Sequence, residues 1–205
     1  MEIQHIKKQI FLYTSENIKK DGLKTIKITP LCNNLHISKK TFYIVFNSKE
    51  ELISELFIDI LIGSYVNVLV VLQAKTSFVK KIEEISTIIE DKFQLFNNDT
   101  MTELKNLYPS IYFEVENFRN ERIKPLFMLL IKKAQKHKII NEFEPKFLIT
   151  LFFAIITSIF TENLRNDKNG NNQYRFRNVF DLVLNGLLTK KGKSILNYNL
   201  LKGSE

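Results

Sequence analysis

"HISKKTFYIVFNSKEEL", His36 to Leu52, holds a turn, a short helix, a break and a second helix start within seventeen residues. Ser38 is a good helix cap, and the pattern after it predicts a helix over Lys39 to about Val45. Asn47-Ser48 then breaks the chain. Ser48 with Glu51 three residues on forms a capping box, which opens a long helix running towards Ala74. Upstream, Thr29-Pro30 predicts another short helix, with threonine as cap and proline at the first helical position, ending near Leu35. Further upstream, Ile3 to Lys20 has a wide apolar stripe and is stopped by Asp21-Gly22. Two short helices joined by Leu35–Ser38 make a helix-turn-helix, and the first helix completes a three-helix unit.

The rest of the chain reads the same way. Six glycines and four prolines in 205 residues leave few breakers, and the apolar spacing is helical throughout, so the expected class is all-α. Helices are expected near Phe78–Phe96, Thr102–Tyr108, Pro109–Lys136, Pro145–Asn166 and Gln173–Lys190. Pro125 should kink or split the third of these. Asn166–Gln173 reads as a loop. The expected domains are a helix-turn-helix unit over 1–48, a larger helical unit over 49–192, and a flexible tail over 193–205.

Charge is concentrated at one end. The formal net charge is +8, and residues 1–49 supply +6 of it, with nine lysines against Glu2, Glu16 and Asp21. A basic first quarter is what a polyanion-binding unit needs, although solvated lysines on an ordinary surface give the same total. Cys32 is the only cysteine, so no intrachain disulfide forms and an oxidising compartment is not implied. The first twenty residues mix charged and apolar groups, unlike a secretory signal. Near the C-terminal end, the apolar run Phe147–Phe160 is 14 residues long, short of the roughly 20 that span a bilayer. It reads as a buried helix. A cytoplasmic protein with no membrane partner is expected.

In a helix-turn-helix the second helix enters the major groove and its first residues reach base edges. Lys39 and Lys40 stand in the first turn of that helix, where the helix dipole disfavours cations. A DNA phosphate or a guanine edge offsets this. Thr41 offers a hydroxyl to phosphate and a methyl to thymine. Phe42 should turn inward, while Tyr43 packs its ring and presents its hydroxyl to the backbone. Lys49, beside the free amides of the next helix start, is a second phosphate-binding point.

These residues resemble the DNA-binding domain of TetR-family transcriptional regulators. The resemblance covers about residues 5–60: Gly22, then Leu31-Cys32 in the usual Ile-Ala slot, then "ISKKTFYIVFNSKEEL". It implies that Ser38, Lys39, Lys40, Thr41 and Tyr43 lie on the recognition helix, with Tyr43, Lys49 and Thr29 at phosphates. The sequence departs from the family pattern at His36, which stands where glycine is usual. It departs also at Lys27, in place of a capping threonine, and at Val45, in place of a polar or aromatic residue.

The resemblance further implies a homodimer on a palindromic operator, acting as a repressor that responds to a ligand. The two last helices should pair with their copies through Phe152, Ile156, Phe160, Phe180, Leu184 and Leu187. An apolar circumference over Phe147–Phe160 agrees, since such a helix must be covered on all sides. Aromatic residues Phe93, Phe96, Tyr108, Tyr112, Phe113, Phe127 and Phe153 are candidates for a pocket holding a small hydrophobic or aromatic ligand. Ordinary aromatic core explains each of them equally well. No cofactor is expected. His5, His36 and His137 stand far apart, none at metal-ligand spacing from another or from Cys32, and no catalytic motif is present, so the chain does not read as an enzyme. Alternatives are a ligand-free helical module that organises DNA or holds a protein, and a small helical enzyme with an unrecognised site.

Overall fold

A computed structural model describes residues 3–76, 78–159 and 172–195. The all-α expectation holds: the described residues form helices α1 Ile3–Asp21, α2 Ile28–Asn34, α3 Lys39–Val45, α4 Lys49–Gln73, α5 Phe78–Phe93, α6 Asn98–Leu107, α7 Pro109–Phe118, α8 Lys124–Lys136, α9 Pro145–Ile159 and α10 Asn172–Leu187. A short helical turn over 190–195 follows, so residues 193–195 are helical where a flexible tail was expected. Residues 196–205 of that expected tail lie outside the described residues, as do the loop from 166 to 171 and Phe160.

Several boundaries differ from the sequence reading, each for a local reason. α2 begins at Ile28 with Lys27 as its cap residue, so Thr29 is inside the first turn and caps nothing. Pro30 is tolerated there because first-turn amides have no intrahelical partner to lose. α6 starts at Asn98 rather than Thr102. The Asn97 side chain accepts from Thr100 N–H at 2.8 Å and supplies a cap that periodicity does not reveal. The expected helix Pro109–Lys136 splits into α7 and α8 around a π-helical stretch, Arg119–Ile123. Pro125 is the cause: it has no N–H for the carbonyl four residues back and its ring collides with that turn, so the ladder widens just before it.

The core is continuous across the expected domain border. Ile18, Leu23 and Ile26 from the first unit pack with Ile53, Leu56 and Phe57 of α4, and with Phe96, Leu104, Ile111 and Val115. A second cluster, Ile6, Ile10, Leu31, Cys32, Phe42, Phe46 and Leu52, fills the three-helix unit itself. Fully burying each such side chain contributes roughly 1.5–3 kcal/mol, so the three-helix unit is welded to α4 and α6 and does not hang on a tether. Lys7 on α1 and Glu55 on α4 add an ion pair across the same seam.

α4 is, by length and composition alone, able to cross a membrane. In this fold one face of it belongs to the core, while Ile62, Val66 and Val70 are exposed. Leu52, Ile53, Leu56, Phe57, Leu61, Val68 and Val71 are buried against protein, and Glu50, Glu51, Glu55 and Asp59 occupy its first half.

Candidate DNA-reading helix and apolar cavity

The turn before α3 is built from hydrogen bonds. His36 N–H donates to Asn33 C=O at 3.2 Å, and Ile37 N–H to Cys32 C=O at 3.0 Å. This is the Schellman arrangement, which needs a left-handed residue after the helix. His36 is that residue, with φ of 53°. The departure from glycine therefore leaves the turn intact, with histidine in a conformation it tolerates better than most. The 3.0 Å bond from Ile37 to Cys32 draws the chain back over α2, and both residues belong to the small core.

Ser38 Oγ then accepts from Thr41 N–H at 2.9 Å and lies 2.8 Å from Thr41 Oγ1. These two predicted contact residues are thus first of all a helix cap, and the Thr41 hydroxyl is shared with Ser38. Phe42 is fully buried and meets the Phe46 ring at 5.8 Å. Its burial fixes the rotation of α3, which leaves Lys39, Lys40 and Tyr43 exposed on the other side. Tyr43 is held edge-on against Phe42 at 5.3 Å. Ile44 is 61% exposed on the same short helix, and no signal in the sequence set it apart. An exposed isoleucine there suits a thymine methyl or a sugar. Thr29 is exposed in the first turn of α2.

Ser48 caps α4 by accepting from Glu51 N–H at 3.0 Å, as the capping box predicts. Glu51 answers one residue earlier than the standard box: its carboxylate accepts from Asn47 N–H, and from Asn47 Nδ2 at 3.1 Å. Lys49 lies with its ammonium 5.9 Å from the centre of the Tyr108 ring. That contact ties the second phosphate-binding candidate to the start of α7. Cys32 is buried, which pushes its thiol above the ordinary range, and the Lys39 charge opposes this only in part. Such a thiol is a packing group, not a reactive one.

A second feature lies in the other half of the molecule. α5, α8, α9 and α10 enclose an apolar cavity of about 530 Å³, within the size range of small-molecule sites, roughly 300–1,000 Å³. Of the seven aromatic pocket candidates, Phe127 and Phe153 line it. Phe96 is buried in the core between the two halves, where its ring meets Phe57 at 5.4 Å, and Tyr108 and Tyr112 pack on that same core. Phe113 is 61% exposed. The side chain of Phe93 is outside the described residues. Aliphatic residues of α5 and α8, such as Ile82, Ile85, Leu130 and Ile131, form one side of the remaining wall, and α9 and α10 form the other. Sequence reasoning missed them because an inward isoleucine looks the same beside a void as in a solid core.

Four of the residues expected at a dimer interface lie at the cavity. Phe152, Phe180, Leu184 and Leu187 all line the cavity, turned towards the chain's own interior. The side chains of Ile156 and Phe160 lie outside the described residues. Among the described side chains, the exposed large apolar groups on these helices are Phe147 and Leu151 on α9, and Leu182 on α10, which is 75% exposed.

No family model and no curated protein matches the sequence. Solved structures do match. A regulator of the TetR family from Agrobacterium tumefaciens superposes with a TM-score of 0.72 at 11% identity, covering 92% of this chain and 100% of that one. One from Marinobacter aquaeolei gives 0.71 at 17% identity, covering 94% and 96%. The fold is that of TetR-family transcriptional regulators. A protein from Saccharomonospora viridis, described as a transcriptional regulator in complex with choline, gives 0.72 at 13% identity, covering 91% and 100%. The TetR fold thus extends over nearly the whole chain, beyond the 5–60 region that carries the sequence resemblance. Among the described residues, no group of three or more His, Cys, Asp or Glu is placed to hold a metal ion.

Proposed function

We propose that this protein is a DNA-binding transcriptional regulator of the TetR type. The observation that carries the reading is α3: a helix locked by Phe42 and capped by Ser38, showing Lys39, Lys40, Tyr43 and Ile44 to solvent. Within the TetR fold that helix is the groove reader, and its cations have no protein carboxylate at hydrogen-bonding distance among the described residues. Residues 1–48 form the reading unit and 49–192 the regulatory unit in this proposal. Lys49 and Thr29 sit at phosphates on either side of the reader. A cytoplasmic location goes with this reading.

The protein acts as a homodimer, each subunit reading one half of a palindromic operator. Phe147, Leu151 and Leu182 are the exposed apolar groups that a pairing of α9 and α10 with their copies would cover. The cavity supports ligand control, in which occupancy changes the spacing of the two α3 helices and releases the operator. Release on binding makes the protein a repressor. A cavity of this size argues against the alternative of a ligand-free DNA-organising or protein-interaction module, which calls for a solid core.

Selection of bound sequences from a random DNA pool tests the proposal. The expected result is a palindrome with half-sites centred about one helical turn apart, roughly 10 base pairs. Absence of any enriched sequence at low salt would falsify it.

A further inference from the structure

The cavity described above is not evenly apolar. Among the described residues its polar lining groups are Thr76, Lys81, Lys133 and His137, and none of these is a carboxylate. All four fall at one end. Glu50 and Ser54 of α4 meet Ser110 and Glu114 of α7, and Tyr65 meets Phe118 at 6.0 Å, so α7 runs in the direction of α4. α8 continues it, with Leu126 and Phe127 packed on the cluster that holds Val68, Val71, Ile85 and Ile89. Lys133 and His137 at the far end of α8 therefore stand level with Thr76 and Lys81, which follow the far end of α4. Below them the walls are isoleucine, leucine, valine and phenylalanine.

Two of these groups hold unused capacity inside the protein. The Thr76 hydroxyl is buried and has no hydrogen-bond partner. Buried polar groups are ordinarily paired, so this orphan in the cavity wall has a hydrogen bond still to make. Lys81 donates one hydrogen bond, to Leu72 C=O at 2.7 Å. That bond caps the last turn of α4, and the ammonium has two further N–H groups. Lys133 and His137 are exposed at the rim, where they can meet a head group without structural cost.

We infer that the cavity takes an anionic amphiphile: a single unbranched apolar tail carrying a carboxylate, with the head held by Lys133, His137 and Thr76. The inference rests on the cavity being the regulatory site proposed above, and it narrows the small hydrophobic or aromatic ligand suggested by the aromatic content of the sequence. A cation finds no counter-charge in this lining, and a neutral molecule leaves the polar end unused. At about 30 Å³ for a small heavy-atom group, the volume holds up to roughly eighteen such groups.

The test is calorimetric titration of the full chain, without DNA, using dodecanoate, dodecanol and dodecyltrimethylammonium below their micelle-forming concentrations. Dodecanoate should bind about five-fold or more tighter than dodecanol, with the ammonium weakest, since exposed charge pairs are worth up to about tenfold together. The double variant Lys133→Gln with His137→Gln should bring dodecanoate down to the level of dodecanol and leave dodecanol unchanged. Each methylene removed from the tail should weaken binding about four-fold. Equal affinity for the three heads, preference for the ammonium, or no binding of any of them would overturn the inference. Since no DNA is present, that failure is separate from a failure of operator selection.

Discussion

The carboxylate of Glu103 on α6 accepts hydrogen bonds from the backbone N–H of Leu23 at 2.7 Å and of Lys24 at 3.3 Å. It thereby joins the regulatory half to the turn that follows α1. Gly22 makes the approach possible: its φ is 86°, and a Cβ there would lie 3.2 Å from Glu103 Oε2. Leu23 is fully buried, so its N–H loses its protein partner if the carboxylate is removed.

Glu103→Ala should therefore destabilise the protein by about 1–3 kcal/mol, the cost of leaving a buried donor unpaired. In thermal unfolding this is a drop of roughly 2–4 °C per kcal/mol for a chain of this size. Glu103→Gln keeps one acceptor oxygen and should lose less. An alanine variant that melts like the parent would show that the joint rests on the apolar core alone.

His36 occupies a left-handed position that costs most residues roughly 1–2 kcal/mol. His36→Val should lower stability by about that amount, because a β-branched side chain tolerates positive φ worst. His36→Gly should match the parent or exceed it by up to about 1 kcal/mol, the removed strain being set against the extra chain entropy of glycine. Chemical denaturation reads both. Equal stability of the valine and glycine variants would contradict the backbone account.

The reader was legible in the sequence because its punctuation is local. Ser38, Ser48, Glu51 and Gly22 each signal through neighbours within four residues, so helix ends could be placed from the residues themselves. α3 is expected at Lys39–Val45, and there it stands. The regulatory half was legible only as a set of helices. Which face of α9 or α10 turns inward depends on partners far along the chain, and a helix apolar on all sides carries no mark of its inner face. Phe152 and Phe180 were read as dimer-interface residues for that reason. The cap at Asn97 was missed because the residues after it, Asn98, Asp99 and Thr100, are themselves plausible caps.

Thr14 on α1 is fully buried, and its hydroxyl has no hydrogen-bond partner. An unpaired buried hydroxyl costs about 1–3 kcal/mol, whereas a methyl of the same size costs nothing. Thr14→Val should raise stability by about 1 kcal/mol, seen as a higher denaturant midpoint with an unchanged slope. A loss of stability would mean that the hydroxyl is satisfied in solution.

Leu182 is 75% exposed on α10, and Gly186 one turn on has open space around the position of a Cβ. If α10 pairs with its copy, Leu182→Glu places a charge in each half of the same interface. Sedimentation should then show monomer at concentrations where the parent is a dimer. Melting of the monomer's own core should change little, because Leu182 belongs to none of the buried clusters. A dimer that survives the substitution would move the interface elsewhere.

Lys39 and Lys40 are exposed in the first turn of α3, where the helix dipole alone disfavours them. Their removal should therefore stabilise or spare the free protein while weakening it on DNA, a separation that a purely structural role does not give. Lys39→Ala with Lys40→Ala should flatten the dependence of log affinity on log salt by about 0.9 for each phosphate the variant no longer neutralises. Ile44→Ala should leave that slope unchanged. Its effect should be weaker discrimination at one base pair, about 1–3 kcal/mol if the side chain meets a thymine methyl. Titrations of operator DNA at several salt concentrations read the two effects apart, and a steeper slope in the lysine variant would exclude phosphate binding by α3.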